Sequence, residues 1–190
     1  MTDAKNRVCP VERAGALDSG FRRWLQNPRK ILGPYVREGM TVLDAGCGPG
    51  FFSVEMAAMV GPGGKVIAAD LQEEMLDKLR AKVRGTPLEA VIKPVKCGKE
   101  SLNVSERVDF ALAFFVVHEI TDKERFFSEL KSILRETGRV LVAEPRPFHV
   151  SKTDFEATLR TAENAGFAFE PGPGLFLCHC AALRPRRAIF

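Results

Sequence analysis

Three glycines at alternate positions, Gly46, Gly48 and Gly50, lie directly behind a short apolar run, Met40-Thr-Val-Leu-Asp44. Lacking a Cβ, glycine lets the backbone turn sharply and approach a ligand that a side chain would hold off. The spacing is G-x-G-x-G. A dinucleotide fingerprint wants a small residue at position 51, where Phe51 stands, and the Gly-Lys-Ser/Thr of a phosphate-binding loop is absent. Asp44 sits just inside the loop. Its charge would repel a pyrophosphate and attract an ammonium group, which points to a nucleoside carrying a cationic tail. Asp70 ends the next apolar run, Lys65-Val-Ile-Ala-Ala-Asp70. A carboxylate there is placed to accept both hydroxyls of a ribose, although it could equally cap the helix that follows. Further on, His118-Glu119 follows the apolar run Val108-Asp-Phe-Ala-Leu-Ala-Phe-Phe-Val-Val117. A histidine there could take a proton near neutral pH, or simply pack or cap locally.

These residues need a scaffold, and the chain alternates strand and helix signals from Met40 onward. Short apolar strands are expected at 40–46, 65–70, 88–97, 108–117 and 139–144, with Pro94 marking the third as irregular or an edge. Helices are expected at 29–36, with Asn27 as N-cap and Pro28 leading, and at 53–60, stopped by Gly61-Pro62. Residues 72–84 read as a helix with Gly85 beyond its end. A capping box, Thr121-x-x-Glu124, opens another, with Phe126, Phe127, Leu130, Ile133 and Leu134 on one face. Ser151-x-x-Asp154 opens a helix over 151–165, closed by Gly166. Two final strands, Phe167-Ala-Phe-Glu170 and Leu175-Phe-Leu-Cys-His-Cys-Ala-Ala-Leu183, have only a Gly/Pro turn between them and must be antiparallel. Continuous apolar strands are buried on both faces, as in a parallel sheet covered by helices.

The composition adds bounds. With 190 residues, 45% hydrophobic and 27% charged, the chain is an ordinary globular sequence and is read as one domain over 1–190. Within it, 1–38 forms an N-terminal helical extension that could act as a lid, and 39–190 forms the core. The basic pair Arg22-Arg23 and Trp24 belong to that extension. The net charge of +4 comes from 28 basic and 24 acidic residues spread through the chain, so it permits an anionic partner without demanding one. No apolar stretch reaches the roughly 20 residues of a membrane span, and the first residues lack the apolar core of a secretory signal. Five cysteines in such a chain suit a reducing, cytoplasmic setting.

The runs VLDAGCGPGFFS, IAADLQEEML, CGKESL and VDFALAFFVVHEI resemble the class I S-adenosylmethionine-dependent methyltransferases, in the small-molecule branch of the ubiquinone/menaquinone-biosynthesis type. The resemblance covers about 39–166. It implies an α/β fold: a Rossmann-like, doubly wound sheet of seven strands, mostly parallel with the last antiparallel, and helices on both faces. It implies S-adenosylmethionine as cofactor, S-adenosylhomocysteine as product and a small-molecule methyl acceptor. Asp44 would meet the methionine ammonium, while Ala45, Gly46, Cys47, Gly48 and Gly50 would line the methionine and ribose. Asp70 would hold the ribose and Leu71 would pack on adenine. Gly98, Lys99 and Glu100 would pass the adenine edge, where relatives often carry an acid-small pair that this sequence lacks. Phe114 would flank the reactive methyl. His118 and Glu119 are the candidate catalytic pair.

Other chemistries lack their residues. No Asn/Asp-Pro-Pro-aromatic run follows the fourth strand, where Ala113-Phe-Phe115 stands, and no Pro-Cys pair offers a nucleophile to a base. No acid for a divalent metal follows that strand, so no metal is expected. Cys178-His-Cys180 on a strand would send its two sulfurs one way and its imidazole the other, which suits packing thiols. Cys47 and Cys97, near the expected cofactor, could make it oxidation-sensitive. Two further functions remain open. One is RNA or protein methylation, with Arg184-Pro-Arg-Arg187 and Arg22-Arg23 on phosphates, though no separate recognition domain is visible. The other is a non-catalytic cofactor-binding sensor or scaffold.

Overall fold

The computed structural model describes residues 26–146 and 149–186. The readings made for Arg22, Arg23, Trp24 and Arg187 therefore lie outside the described residues.

Asn27 caps the first helix as expected, its side chain accepting from the Lys30 amide, but α1 spans only Pro28–Leu32. Gly33 keeps a helical backbone, at φ −51 and ψ −37, and the ladder stops at Pro34, which has no amide to donate back to the preceding turn. Strand β1 (Thr41–Ala45) carries the glycine loop on its end, and α2 (Ser53–Val60) follows with the expected bounds. Strand β2 (Lys65–Asp70) and α3 (Glu73–Val83) form the next unit. The expected third strand divides: Pro87–Ala90 is a 3-10 turn, and only Ile92–Lys96 forms β3.

Strand β4 (Val108–Phe114) stops three residues short of its apolar run. Phe115 turns to φ +60, its amide donates to Ala143, and Val117–Glu119 makes a 3-10 turn. Helix α4 (Lys123–Ile133) is capped by Asp122, not by Thr121: the Asp122 carboxylate accepts from the Arg125 amide. Leu134, expected on the helix, instead opens β5 (Leu134–Pro145). Asp122→Ala should cost about 1 kcal/mol, or about 2–4 °C in Tm, whereas Thr121→Ala should cost little. Thermal denaturation of the two variants checks the assignment. Helix α5 (Lys152–Asn164) is capped by Ser151, and β6 (Phe167–Pro171) and β7 (Cys178–Pro185) complete the chain order. Strand β7 starts three residues later than the apolar pattern suggests, after Leu177 at φ +54.

The seven strands lie in the order β3-β2-β1-β4-β5-β7-β6. The pairs among β1 to β5 are parallel, and β7 runs antiparallel between β5 and β6. One face packs Val42, Met56, Leu76, Leu79 and Phe110 under α1, α2 and α3; the other packs Leu43, Ile67, Phe127, Leu130 and Phe167 under α4 and α5. The alternation along β7 is as expected. Cys178 joins the first face, while His179 stacks on Phe155 with centroids 5.3 Å apart. Both outer strands carry a proline. On β3 the Cys97 amide points inward to Asp70, so by alternation the Pro94 nitrogen faces outward. On β6 the Gly172 amide points inward to Cys180, which places the Pro171 nitrogen outward too.

Candidate active site

The strand order reverses between β1 and β4, and in open α/β sheets the carboxyl ends of the strands at that point form the ligand crevice. The glycine loop, Asp70, Phe114 and His118 all lie at those ends.

The three loop glycines serve different purposes. Gly46, at φ +73, has Val116 packed where its Cβ would be, at 2.5 Å, and Gly50, at φ +84, has Leu79 there at 2.4 Å. Their missing side chains make room for the protein's own core. Gly48, at φ +52, has nothing within 4 Å of that position. Of the three, Gly48 alone has open space where a side chain would stand, as close approach of a ligand requires. Its amide donates to Asp70 Oδ2 at 2.8 Å, and Asp70 Oδ1 accepts from the Gln72 amide at 2.8 Å. Asp70 thus closes the loop and holds the amide of Gln72, which is itself the N-cap of α3, so Asp70 does not cap that helix, and each of its oxygens keeps a lone pair for a further donor. Burial raises its pKa, against the lowering effect of these amides and of Lys96.

Asp44 is 2% exposed and accepts from Ser53 Oγ at 2.6 Å. This places a carboxylate in the floor of the loop, where a ligand's ammonium would offset its desolvation. Ala45 ends β1, and the Gly46 and Cys47 amides both donate to Ala69, tying the loop to β2. Burial, then the charges of Asp44 and Asp70, pushes the Cys47 thiol well up, and burial with Asp70 and Glu129 pushes Cys97 up to about 12. Thiols so raised hold little reactive thiolate, which argues against the oxidation sensitivity expected of them.

Around β4, Phe51, Phe52, Phe114 and Phe115 form a row of rings, with Phe114 4.5 Å from Phe52 and 4.4 Å from Phe115. Leu71 is half-buried beside Asp70. The next segment is less tightly gathered. Gly98 closes a turn onto Ser101, Lys99 is exposed, and Glu100 pairs with Arg125 of α4 at 3.1 Å.

The His118 ring reaches β5, a connection no local pattern reveals. Its Nδ1 is bonded to Glu144 Oε2, while Glu144 Oε1 accepts from the Val117 amide at 2.8 Å. Glu144 is 1% exposed. The bond fixes the imidazole with its proton on Nδ1 and leaves Nε2, 4.0 Å from Glu119, as the basic nitrogen. Burial lowers the His118 pKa, but the Glu144 bond and the charges of Glu144 and Glu119 outweigh it, and the net direction is up. Glu144→Gln should lower the midpoint at which the His118 Hε1 resonance titrates. Because the folded pKa is raised, the pair's contribution to stability is present at low pH and is lost as pH rises through that midpoint. The stability gap between wild type and variant should narrow over the same interval.

Among the described residues no cluster of three or more His, Cys, Asp or Glu is placed to hold a metal ion, and no helix is long and apolar enough to cross a membrane.

Residues 36–170 match the family described as "Methyltransferase domain". The chain is 31% identical over 147 residues to the ubiquinone/menaquinone biosynthesis C-methyltransferase of Salmonella arizonae, covering 77% of this chain and 57% of that one. To the enzyme of that name from Pasteurella multocida it is 33% identical over 110 residues, covering 57% of this chain and 41% of that one. It thus spans about half the length of these curated relatives. In structure it is similar to a S-adenosylmethionine-dependent methyltransferase from Aquifex aeolicus, with a TM-score of 0.80 and 27% identity over 94% of this chain and 98% of that one. With a sheet that reverses between β1 and β4 and a glycine loop at that crevice, the chain belongs to the methyltransferase-domain family.

Proposed function

We propose that this chain moves the methyl group of S-adenosylmethionine onto a small-molecule acceptor by in-line displacement, and that 39–190 form its cofactor-binding core within a single catalytic domain. One juxtaposition carries the reading: the Gly48 amide bonded to Asp70 at 2.8 Å, beneath open space, at the switch point of the sheet. The cofactor supplies a methyl on a sulfonium, a leaving group that needs no protonation. What remains for the chain is to bind, align and, where needed, take a proton.

Asp44, Ala45, Gly46, Cys47, Gly48 and Gly50 form the methionine and ribose side in this proposal. Asp70 holds the ribose hydroxyls, Leu71 packs against the base, and Gly98, Lys99 and Glu100 border its edge. Phe114 presents a ring at the methyl. His118 Nε2 takes the proton of an acceptor that must lose one, Glu144 orients that ring, and Glu119 lies beside it. The small-molecule reading is supported by the relatives named for quinone biosynthesis.

Formation of S-adenosylhomocysteine tests the proposal, with quinol and phenolic acceptors, total RNA and denatured protein as separate substrates. Turnover with the small molecules alone is expected. Turnover confined to RNA or protein, or cofactor binding without turnover on any of them, overturns it.

A further inference from the structure

Helix α3 meets the glycine loop at two points on one helical face. Leu79, fully buried, fills the place where a Gly50 side chain would stand, at 2.4 Å. Lys82 lies three residues further on and donates from Nζ to the Pro49 carbonyl at 2.6 Å. Residues three apart share a helix face, and helical side chains lean towards the N-terminus. Lys82 therefore reaches back over the Leu79 turn to the loop.

The bond falls on a particular peptide unit. Pro49 stands between two left-handed glycines, Gly48 at φ +52 and Gly50 at φ +84. The Gly50 amide donates to the Cys47 carbonyl at 3.0 Å, while the carbonyl of the same unit, that of Pro49, accepts from Lys82. A trans peptide sends its N–H and C=O in opposite directions, so this plane is held from both edges. Glycine offers little steric resistance to rotation of such a plane, and the two bonds together oppose it. The loop's other ties lie earlier, from the Gly46 and Cys47 amides to Ala69 and from the Gly48 amide to Asp70. Lys82 supplies the hold on the far side.

We propose that Lys82 is a positioning residue of the cofactor site: its bond to Pro49 fixes the peptide plane beside Gly48, and with it the loop surface that receives the cofactor. The inference rests on the cofactor reading of this loop and adds to it a side chain that no glycine motif contains. A charged donor makes a stronger bond to a carbonyl than a neutral one. Lys82 is an exposed residue, and water takes back part of that strength, so its loss should weaken the cofactor without abolishing binding.

Three measurements on the full chain test this. Lys82→Met keeps the stem and removes the donor. By calorimetry it should weaken S-adenosylmethionine about three- to fivefold, with Tm within about 2 °C of wild type. Lys82→Arg keeps a charged donor and should bind within about twofold of wild type. Hydrogen exchange at the Gly50 amide should speed up by about threefold or more in Lys82→Met. The Gly61 amide, bonded to Ala57 at the far end of α2, should exchange as in wild type. A lysine that merely holds the fold together would move both amides and the Tm. Equal affinity in wild type and Lys82→Met, or exchange that rises alike at Gly50 and Gly61, overturns the inference. Failure of the wild type itself to bind S-adenosylmethionine overturns the cofactor reading, and this inference with it, whatever the Gly50 amide shows.

Discussion

Gly48→Val is expected to reduce S-adenosylmethionine affinity by more than ~100-fold, equivalent to about 2.7 kcal/mol. No atom of the protein stands within 4 Å of the Gly48 Cβ position, so the added side chain would occupy the space a ligand needs. The backbone there has φ +52, and an L-residue in that region costs about 1–2 kcal/mol. That is tolerable against a typical folding stability of about 5–15 kcal/mol. The neighbouring glycines provide the contrast. Alanine at Gly46 or Gly50 would press on Val116 or on the fully buried Leu79 and destabilise the fold by about 1–3 kcal/mol. Calorimetric titration beside thermal denaturation should therefore separate a binding glycine from two packing glycines. Wild-type affinity in Gly48→Val would remove the loop from the cofactor site.

Asp44→Asn should have the next largest effect. Asparagine keeps the shape and an acceptor for the Ser53 hydroxyl, which now bonds Asp44 at 2.6 Å, and removes only the charge. A hydrogen bond to a charged group contributes about 1.5–3 kcal/mol, so cofactor affinity should fall about 10- to 150-fold. Stability should hold or rise, because a buried carboxylate pays a desolvation cost that an amide avoids. Methylthioadenosine has the nucleoside but no ammonium, and its affinity should be the same in both proteins. An equal loss for both ligands would show that Asp44 shapes the loop and does not meet the ammonium.

Much of this site was legible in the sequence because its parts are close along the chain. Gly46, Gly48, Gly50 and Asp70 belong to one strand-loop-helix-strand unit, where spacing alone fixes their relation. The separate uses of the three glycines were not legible, since Val116 and Leu79 arrive from other elements. Glu144 lies 26 residues from His118, and only the pairing of β4 with β5 unites them. Pro49 and Lys82, 33 residues apart, meet only when α3 packs against the loop. The misread boundaries have local causes. Thr121 and Asp122 are both good caps, and the choice fell to the carboxylate that reaches Arg125. The apolar pattern through Phe115, Val116 and Val117 continues past β4, but the Phe115 backbone turns away from the strand. Periodicity reports burial, and burial continues where the strand does not.

The two outward-facing prolines bear on how copies of this chain can meet. A sheet edge is a row of backbone donors and acceptors that another strand can extend, and long flat edges seed aggregation. At both rims, Pro94 on β3 and Pro171 on β6, the row is broken where a donor would stand. A second copy arriving at either rim finds the ladder interrupted near its middle or its end. Assembly by sheet extension is thereby disfavoured at both sides of the molecule, and a crowded cell can hold many copies whose sheets do not fuse.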